Sequence, residues 1–405
     1  MRMAVQGISA KTTKLPPSPI AFGLAAALAA ALSLAAALVG LGSRGQDAPP
    51  AVTAIEEAAA RNQRIAFFEA RAEADVIDFV SLNTLAREYL QRARETGDVS
   101  DYERAEIAAT RSLEILPANN FSGLVSLAAV RFAQHDFAAA LTLGQQAVSL
   151  KPDDPAGYGV RGDALLGVGR YKEAEGDYQK MVLLEPSLPA LSRLAGLAYL
   201  TGNEVNTVDF WRQSIAAAEG LPAENLAWAH TQLGGVYFAL GETSKAEKEY
   251  AAALRVYPGH VPALAGLASV RSAQDRPDEA LDLAQRAVAR LPRPQNVTLL
   301  ADLYLRAGRA EDAAAQYALV DAIDALYRDA GINTDLQLAL FYADHNRNLE
   351  RALTIAATAY EAAPGIYSAD ALAWVLPANT PKPMPGLARR CALGRRTPRC
   401  TTTRP

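Results

Sequence analysis

Cysteine and histidine are sparse in this chain, and no residues that could carry catalysis or bind a metal fall into a motif. The only cysteines, Cys391 and Cys400, lie near the C-terminus, and no His-x-x-x-His, Cys-x-x-Cys or acidic cluster supplies metal-ligand spacing. We therefore predict no catalytic residue, no metal site and no cofactor. The four histidines are spread along the chain: His135, His230, His260 and His345. Three of them are predicted to be polar residues of turns, and His230 to be a packed helical residue.

Two short motifs have a structural explanation. The pair Gly234-Gly235 lies inside a predicted helix, where close helix packing accounts for it. The pair Asp153-Asp154 follows Pro152 and predicts a turn and a helix N-cap. Neither a phosphate-binding glycine loop nor a Gly-x-Ser-x-Gly elbow occurs in the sequence.

The charge of the chain is distributed unevenly. Residues 1–45 carry four basic residues and no acidic one, and residues 381–405 carry seven basic residues and no acidic one. The stretch between them therefore has a net charge of −15. An acidic body argues against a nucleic-acid partner, since phosphate binding requires a basic face.

An uncharged, alanine-rich segment near the N-terminus predicts membrane attachment. Residues 20–41 contain no charge over 22 residues, close to the ~20 that a membrane-spanning helix needs. Lys11 and Lys14 precede it, so residues 1–19 are expected to stay in the cytoplasm, with 20–41 as a transmembrane signal anchor and the body outside. Cleavage as a signal peptide, giving a secreted protein, is the alternative. Residues 42–79 are predicted to form a linker and a leading helix.

The elements that would position any functional residue are helical hairpins that repeat along the chain. The most regular unit, residues 227–260, has Gly234 at unit position 8, Tyr237 at 11, Ala246 at 20, Tyr250 at 24 and Pro258 at 32. Alanine and glycine allow helices to approach closely, aromatic rings fill the remaining space, and proline ends the second helix. This unit closely resembles the tetratricopeptide repeat.

The closing prolines confirm the period within the sequence itself. Pro152 and Pro186 lie 34 residues apart, as do Pro258 and Pro292, and the interval between the two pairs predicts an insertion near Gly220. A generic helical bundle with coincidental spacing is the alternative. The resemblance implies an all-α, right-handed superhelical solenoid of about eight hairpins over residues 80–376, with an irregular fourth unit and a ninth that breaks off at Trp374.

The resemblance also implies where a partner would bind. In this family, the first helix of each hairpin lines a concave groove at unit positions 2, 5, 9 and 12. In this chain that groove would include Asn83, Arg87, Phe132, Asp163, Arg193, Trp228, Thr231, Phe238, Ser269 and Asp302. The paired lysines and asparagines that clamp a peptide carboxylate in some members are absent. The alternative for each of these residues is a purely structural role in capping or solvating a helix.

The sequence pattern changes after Trp374. Residues 377–405 are rich in proline, arginine and threonine, and the prolines prevent a regular closing helix. We expect a disordered basic tail that arises from a truncated or shifted reading frame, or else a basic tail for anionic lipid or nucleic acid.

The leading interpretation is a membrane-anchored scaffold for other proteins or peptides. The alternative is a receptor for an exported peptide or glycan. An enzyme is disfavoured, because no segment outside the repeats is long enough to fold as a catalytic domain.

Overall fold

The fold is all-helical in the computed structural model, which describes residues 54–98, 100–329 and 335–376. These ranges contain 18 helices and no strand. The predicted segments 1–19 and 20–41, the start of the linker and the tail 377–405 lie outside the described residues. The helices are α1 (Ala54–Ala74), α2 (Phe79–Thr96), α3 (Ser100–Ile115), α4 (Phe121–Ala133), α5 (Phe137–Leu150), α6 (Pro155–Gly167), α7 (Tyr171–Leu184), α8 (Leu188–Thr201), α9 (Glu204–Ala217), α10 (Ala223–Ala239), α11 (Thr243–Val256), α12 (Val261–Ala273), α13 (Pro277–Arg290), α14 (Pro294–Arg306), α15 (Ala310–Asp329), α16 (Leu336–Asp344), α17 (Leu349–Ala362) and α18 (Ile366–Val375).

The helices pair into eight antiparallel hairpins, called units 1 to 8, from α2/α3 to α16/α17. In each unit the first helix (helix A) packs on the second (helix B), and helix B packs on helix A of the next unit. Between units 7 and 8 these two helices are further apart and meet through side chains, where Tyr317 packs on Phe341 and Tyr342 donates to Asp324. Helix α1 covers the start of the array and α18 its end. This stacking confirms the predicted series of about eight helical hairpins. A single hairpin could not bury its apolar face alone, so neighbouring units share one core.

The closing prolines lie between helices, where the repeat pattern predicts them. Pro152, Pro186, Pro258 and Pro292 each fall after the last residue of a helix B and before the next helix A. Proline lacks the N–H that would continue the helical ladder, so helix B ends there. The predicted insertion near Gly220 forms the connection from α9 to α10.

The turns between helix A and helix B require a residue with positive φ. Gly169 and Gly241 take this conformation in units 3 and 5, with φ of 79° and 78°. In units 2, 6 and 8 the residues with positive φ are His135, Asp275 and Asn346. Asparagine, aspartate and histidine tolerate the left-handed region better than other side chains do, which explains turns that lack the glycine.

Candidate protein-binding face

The inner face of the array is formed by the A helices. Helices A of successive units approach one another, whereas helices B of successive units do not come as close. A stack whose A helices are closer together than its B helices curves toward the A side. The junction of units 4 and 5 is an exception, since α8 and α10 are further apart, and the insertion near Gly220 lies there.

The ten residues that the resemblance assigns to the groove divide into two groups in the structure. Arg87 and Asp302 are partly exposed and can meet a partner. The other eight are buried by their own chain: Asn83, Phe132, Asp163, Arg193, Trp228, Thr231, Phe238 and Ser269. Their assignment as binding residues stays a prediction, but in this conformation each has a structural role.

Asp163 and Arg193 neutralise each other between the A helices of units 3 and 4. Arg193 donates two hydrogen bonds to the Asp163 carboxylate, from Nε at 2.9 Å and from Nη2 at 2.8 Å, and Tyr178 donates a third at 2.9 Å. Burial raises the pKa of the Asp163 carboxyl above its ordinary value, and the arginine beside it opposes that rise. Two of the predicted groove charges are therefore internal to the array.

Asn83 belongs to a buried hydrogen-bond network that joins unit 1 to unit 2. Its Nδ2 donates to Asn120 Oδ1 at 2.9 Å, and its Oδ1 accepts from Ser112 Oγ at 2.7 Å. Asn120 is also the N-cap of α4, because its Oδ1 accepts from the Gly123 N–H. The network satisfies every one of these buried polar groups and fixes the angle between the units.

The aromatic members of the predicted groove pack on neighbouring rings. Trp228 meets Trp211 of unit 4 edge-to-face, with 5.3 Å between ring centroids, and Phe132 meets Phe137 in the same manner at 5.2 Å. Phe238 is also buried, and the Ser269 hydroxyl donates to the backbone carbonyl of Ala265 within its own helix.

Thr231 lies beside a histidine whose burial the sequence did not predict. The Thr231 hydroxyl donates to the Ala227 carbonyl and contacts His260 Nδ1 at 3.1 Å. His260 occupies the N-cap of α12, and burial, together with the nearby Arg94, lowers the pKa of its imidazole to about 3. His260 is thus an internal neutral histidine, although a turn position is usually exposed.

Asp302 is part of a polar and aromatic cluster around His345. Its Oδ1 accepts from the Tyr317 hydroxyl at 2.6 Å and lies 2.8 Å from His345 Nε2. The ring of His345 packs on Tyr317 and Phe341. Burial lowers the pKa of His345, but the hydrogen bond and charge of Asp302, the hydrogen bond to the Phe341 carbonyl and the charge of Asp344 together outweigh it, so the pKa is raised overall.

The remaining predicted features are placed as follows. His135 lies in the turn between α4 and α5, as predicted, and burial lowers the pKa of its imidazole. His230 is partly buried and contacts Glu249 at 2.7 Å, so it is less enclosed than the predicted core histidine. Asp154 caps α6 by accepting from the Ala156 N–H, which confirms the predicted N-cap.

One open apolar residue on the inner face was missed at the sequence level. Leu305 follows Asp302 by three residues on α14, so the two side chains lie on one side of the helix, and Leu305 is 49% exposed. It occupies unit position 12, so the repeat pattern could have identified it.

The described ranges hold no group of three or more His, Cys, Asp or Glu side chains placed to bind a metal ion. None of the helices in those ranges is long and apolar enough to span a bilayer, and the segment predicted to do so lies outside them.

Comparison with known proteins supports the repeat assignment. The family model described as "Tetratricopeptide repeat" matches residues 227–270, which include the most regular unit. No curated protein matches this sequence. The match covers residues 227–270 alone, and the stacked helical hairpins continue before and after it in units 1 to 8.

Three of the solved structures that this chain is similar to are the following. The APC/C hetero-tetramer Cut9-Hcn1 is 19% identical, with a TM-score of 0.50, and the match covers 80% of this chain and 59% of that one. Yeast Tom70 is 16% identical, with a TM-score of 0.49, covering 82% and 69%. A tetratricopeptide repeat protein from Parabacteroides merdae is 16% identical, with a TM-score of 0.44, covering 64% and 99%. At these identities the likeness concerns the fold alone.

Proposed function

We propose that this protein is a scaffold that binds other proteins or peptides on the inner face of its helical array. The observation that carries the proposal is the series of A helices on that face, on which Arg87 and Asp302 are partly exposed and Leu305 is exposed. A cation, a carboxylate and an apolar side chain together suit an extended segment or a helix of mixed polarity. The tetratricopeptide match at residues 227–270 supports this function.

We further propose that residues 20–41 tether the scaffold to a membrane, with the array on the extracytoplasmic side. The uncharged length of that segment and the lysines before it support the proposal. Residues 42–53 would then keep the array close to the bilayer. The acidic charge of the body supports proteins over nucleic acids as partners.

Affinity capture from detergent extracts tests the scaffold function. The full chain at native expression should retain specific proteins, and the double variant Arg87→Ala/Leu305→Ala should lose them. The control Leu183→Ala alters a still more exposed leucine on helix α7 and should retain the partners. If the double variant captures the same proteins as the wild type, the inner face is not the binding site.

Membrane attachment has a separate test. The full chain should stay in the membrane fraction after alkaline carbonate washing, and a chain lacking residues 1–41 should not. Protease added to intact cells with a permeabilised outer layer should digest the array if it faces outward. Recovery of a soluble product that begins after residue 41 would favour the secreted alternative.

Thermal shift against a panel of peptides and glycans separates the scaffold from the receptor alternative. A small ligand that binds the folded state raises the apparent stability. A shift with one ligand class and no captured protein would favour the receptor.

A further inference from the structure

Two superhelical turns of the array touch each other directly. Arg94, at the end of α2 in unit 1, forms a buried salt bridge with Glu224 in the first turn of α10, 130 residues away. Its Nη2 also donates to Asn225 Oδ1 at 3.4 Å. The chain therefore comes back to its first unit after four units. The end of helix A in unit 1 meets the start of helix A in unit 5.

A second contact joins unit 3 to helix α18 at the end of the array. The hydroxyl of Tyr171, at the start of α7 in unit 3, accepts from the Ile366 N–H of α18 at 2.7 Å, across 195 residues. Ala363, just before α18, packs against the cluster that contains Phe132 and Phe137. The two contacts thus hold unit 1 against unit 5 and unit 3 against helix α18.

Side chains of the first superhelical turn also cap two helices of the second superhelical turn. The N-cap residues of α10 and α18 are Pro222 and Gly365, and neither makes a side-chain capping hydrogen bond. The first N–H of α10 instead donates to Glu57 Oε1 of α1 at 2.7 Å, and the first N–H of α18 donates to Tyr171. Because the first amides of a helix have no partner within it, these distant acceptors replace local caps.

The contact surfaces are close-fitting and largely shielded from solvent. The side chains of Arg94 and Glu224 are 8% and 9% exposed. At Gly97, in the turn after α2, an added Cβ would lie 2.8 Å from Leu291 Cδ1, so the late turn comes up against the backbone there. A buried pair of this kind is held by its geometry and is weakly screened by salt.

We propose that these contacts form a clasp that holds the array closed, and that a partner gains the inner face when the clasp opens. The proposal rests on the proposed function. Its second support is that two predicted groove residues lie next to the clasp. Phe132 belongs to the cluster that Ala363 packs against, and Thr231 contacts His260, whose Nε2 lies 4.0 Å from Glu224 Oε1. A partner cannot contact buried side chains, so the closed array presents only a small part of its inner face. Separation of the two turns would widen the groove from both ends of the clasp.

Hydrogen exchange at two amides tests whether the clasp is a single device. Tyr171→Phe removes the acceptor for the Ile366 amide, and Glu57→Ala removes the acceptor for the Ala223 amide. If the clasp opens as one unit, Tyr171→Phe also accelerates exchange at the Ala223 amide, and Glu57→Ala also accelerates exchange at the Ile366 amide. The expected acceleration is about tenfold, the effect of losing one helix cap. The matched controls Tyr158→Phe and Glu173→Ala remove local hydrogen bonds outside the clasp and should change neither amide. Acceleration confined to the nearby amide would overturn the proposal.

Access to Trp228 tests whether the clasp closes the groove. In a Trp374→Phe background, acrylamide should quench tryptophan fluorescence more strongly in the double variant Tyr171→Phe/Glu57→Ala than in the controls. Unchanged quenching would mean that the groove residues are buried by their own units and that the clasp does not gate them. Both measurements need no partner, so they are independent of the proposed function.

Partner affinity provides the last test. A partner recovered by capture should bind the double variant more tightly, because less of its binding free energy is spent on opening the array. Equal affinity for the wild type and a variant that is demonstrably open would overturn the gating.

Discussion

The ion pair of Asp163 and Arg193 shows how a single residue position can be misread from a repeat pattern. Each residue occupies a groove position in its own unit, yet the two side chains meet between units and are almost fully buried. A sequence places residues within a unit but does not reveal which residues of adjacent units come into contact. The two charges therefore pair with each other and join units 3 and 4.

Arg193→Leu should strongly destabilise the array. The substitution leaves the Asp163 carboxylate buried without its cation, which typically costs about 3–5 kcal/mol. Urea denaturation followed by circular dichroism measures the effect. The control Arg170→Leu disrupts an exposed pair between the N-cap residue of α7 and Glu173 in its first turn, and should leave the midpoint unchanged. Equal midpoints for the two variants would contradict the account of the buried pair.

The pair of His345 and Asp302 should make stability depend on pH. The pKa of His345 is raised in the folded state, so the folded protein binds its proton more tightly than the unfolded chain does. The stabilisation is fully present below the unfolded pKa of about 6.5 and is lost as pH rises through the higher folded value. Urea midpoints of the wild type relative to His345→Gln should therefore decline over that window. Asp302→Asn should remove the decline, and its persistence would show that another group is responsible.

At the scale of elements, the helical hairpins follow from the sequence because their signals are local. Prolines end the B helices, small residues allow close packing, and the chain needs no distant information to form each unit. The sequence predicts that the fourth unit is irregular, but it does not predict how that unit packs. Position 24 there is Arg212, which donates to Tyr237, and Trp211 at the preceding position packs on Trp228 of unit 5.

Glycines at one unit position should respond differently to the same substitution. An added Cβ on Gly162 would lie 2.5 Å from the ring of Tyr178, whereas at Gly196 nothing lies within 4 Å, because unit 4 lacks that tyrosine. Gly162→Ala should cost about 1–3 kcal/mol through overpacking. Gly196→Ala should stabilise its helix by up to about 1 kcal/mol, since alanine is the better helix former. Thermal denaturation of both variants measures the difference, and an equal loss at the two sites would contradict the packing described for unit 4.

At the scale of the whole molecule, the contacts between superhelical turns could not be predicted from the sequence. They depend on the pitch of the superhelix, which accumulates small rotations from every unit and the insertion near Gly220. Neither Arg94 nor Tyr171 belongs to a motif, and their partners are more than a hundred residues away. The burial of most groove residues likewise depends on inter-unit geometry, so the resemblance could name the face but not its accessibility.

We expect partners to contact the inner face of the array and not its outer face. A photo-crosslinking amino acid placed at Arg87 or Asp302 reports on that face. The same amino acid at Leu183 or Leu353, exposed residues of B helices, reports on the outside.

The most direct test of the central claim is to compare these crosslinks in cells that express the full chain. We expect the inner positions to capture the same partner protein, identified by mass spectrometry, and the outer positions to capture none of it. Crosslinking of that partner from the outer positions alone would contradict the claim that the inner face is the binding surface.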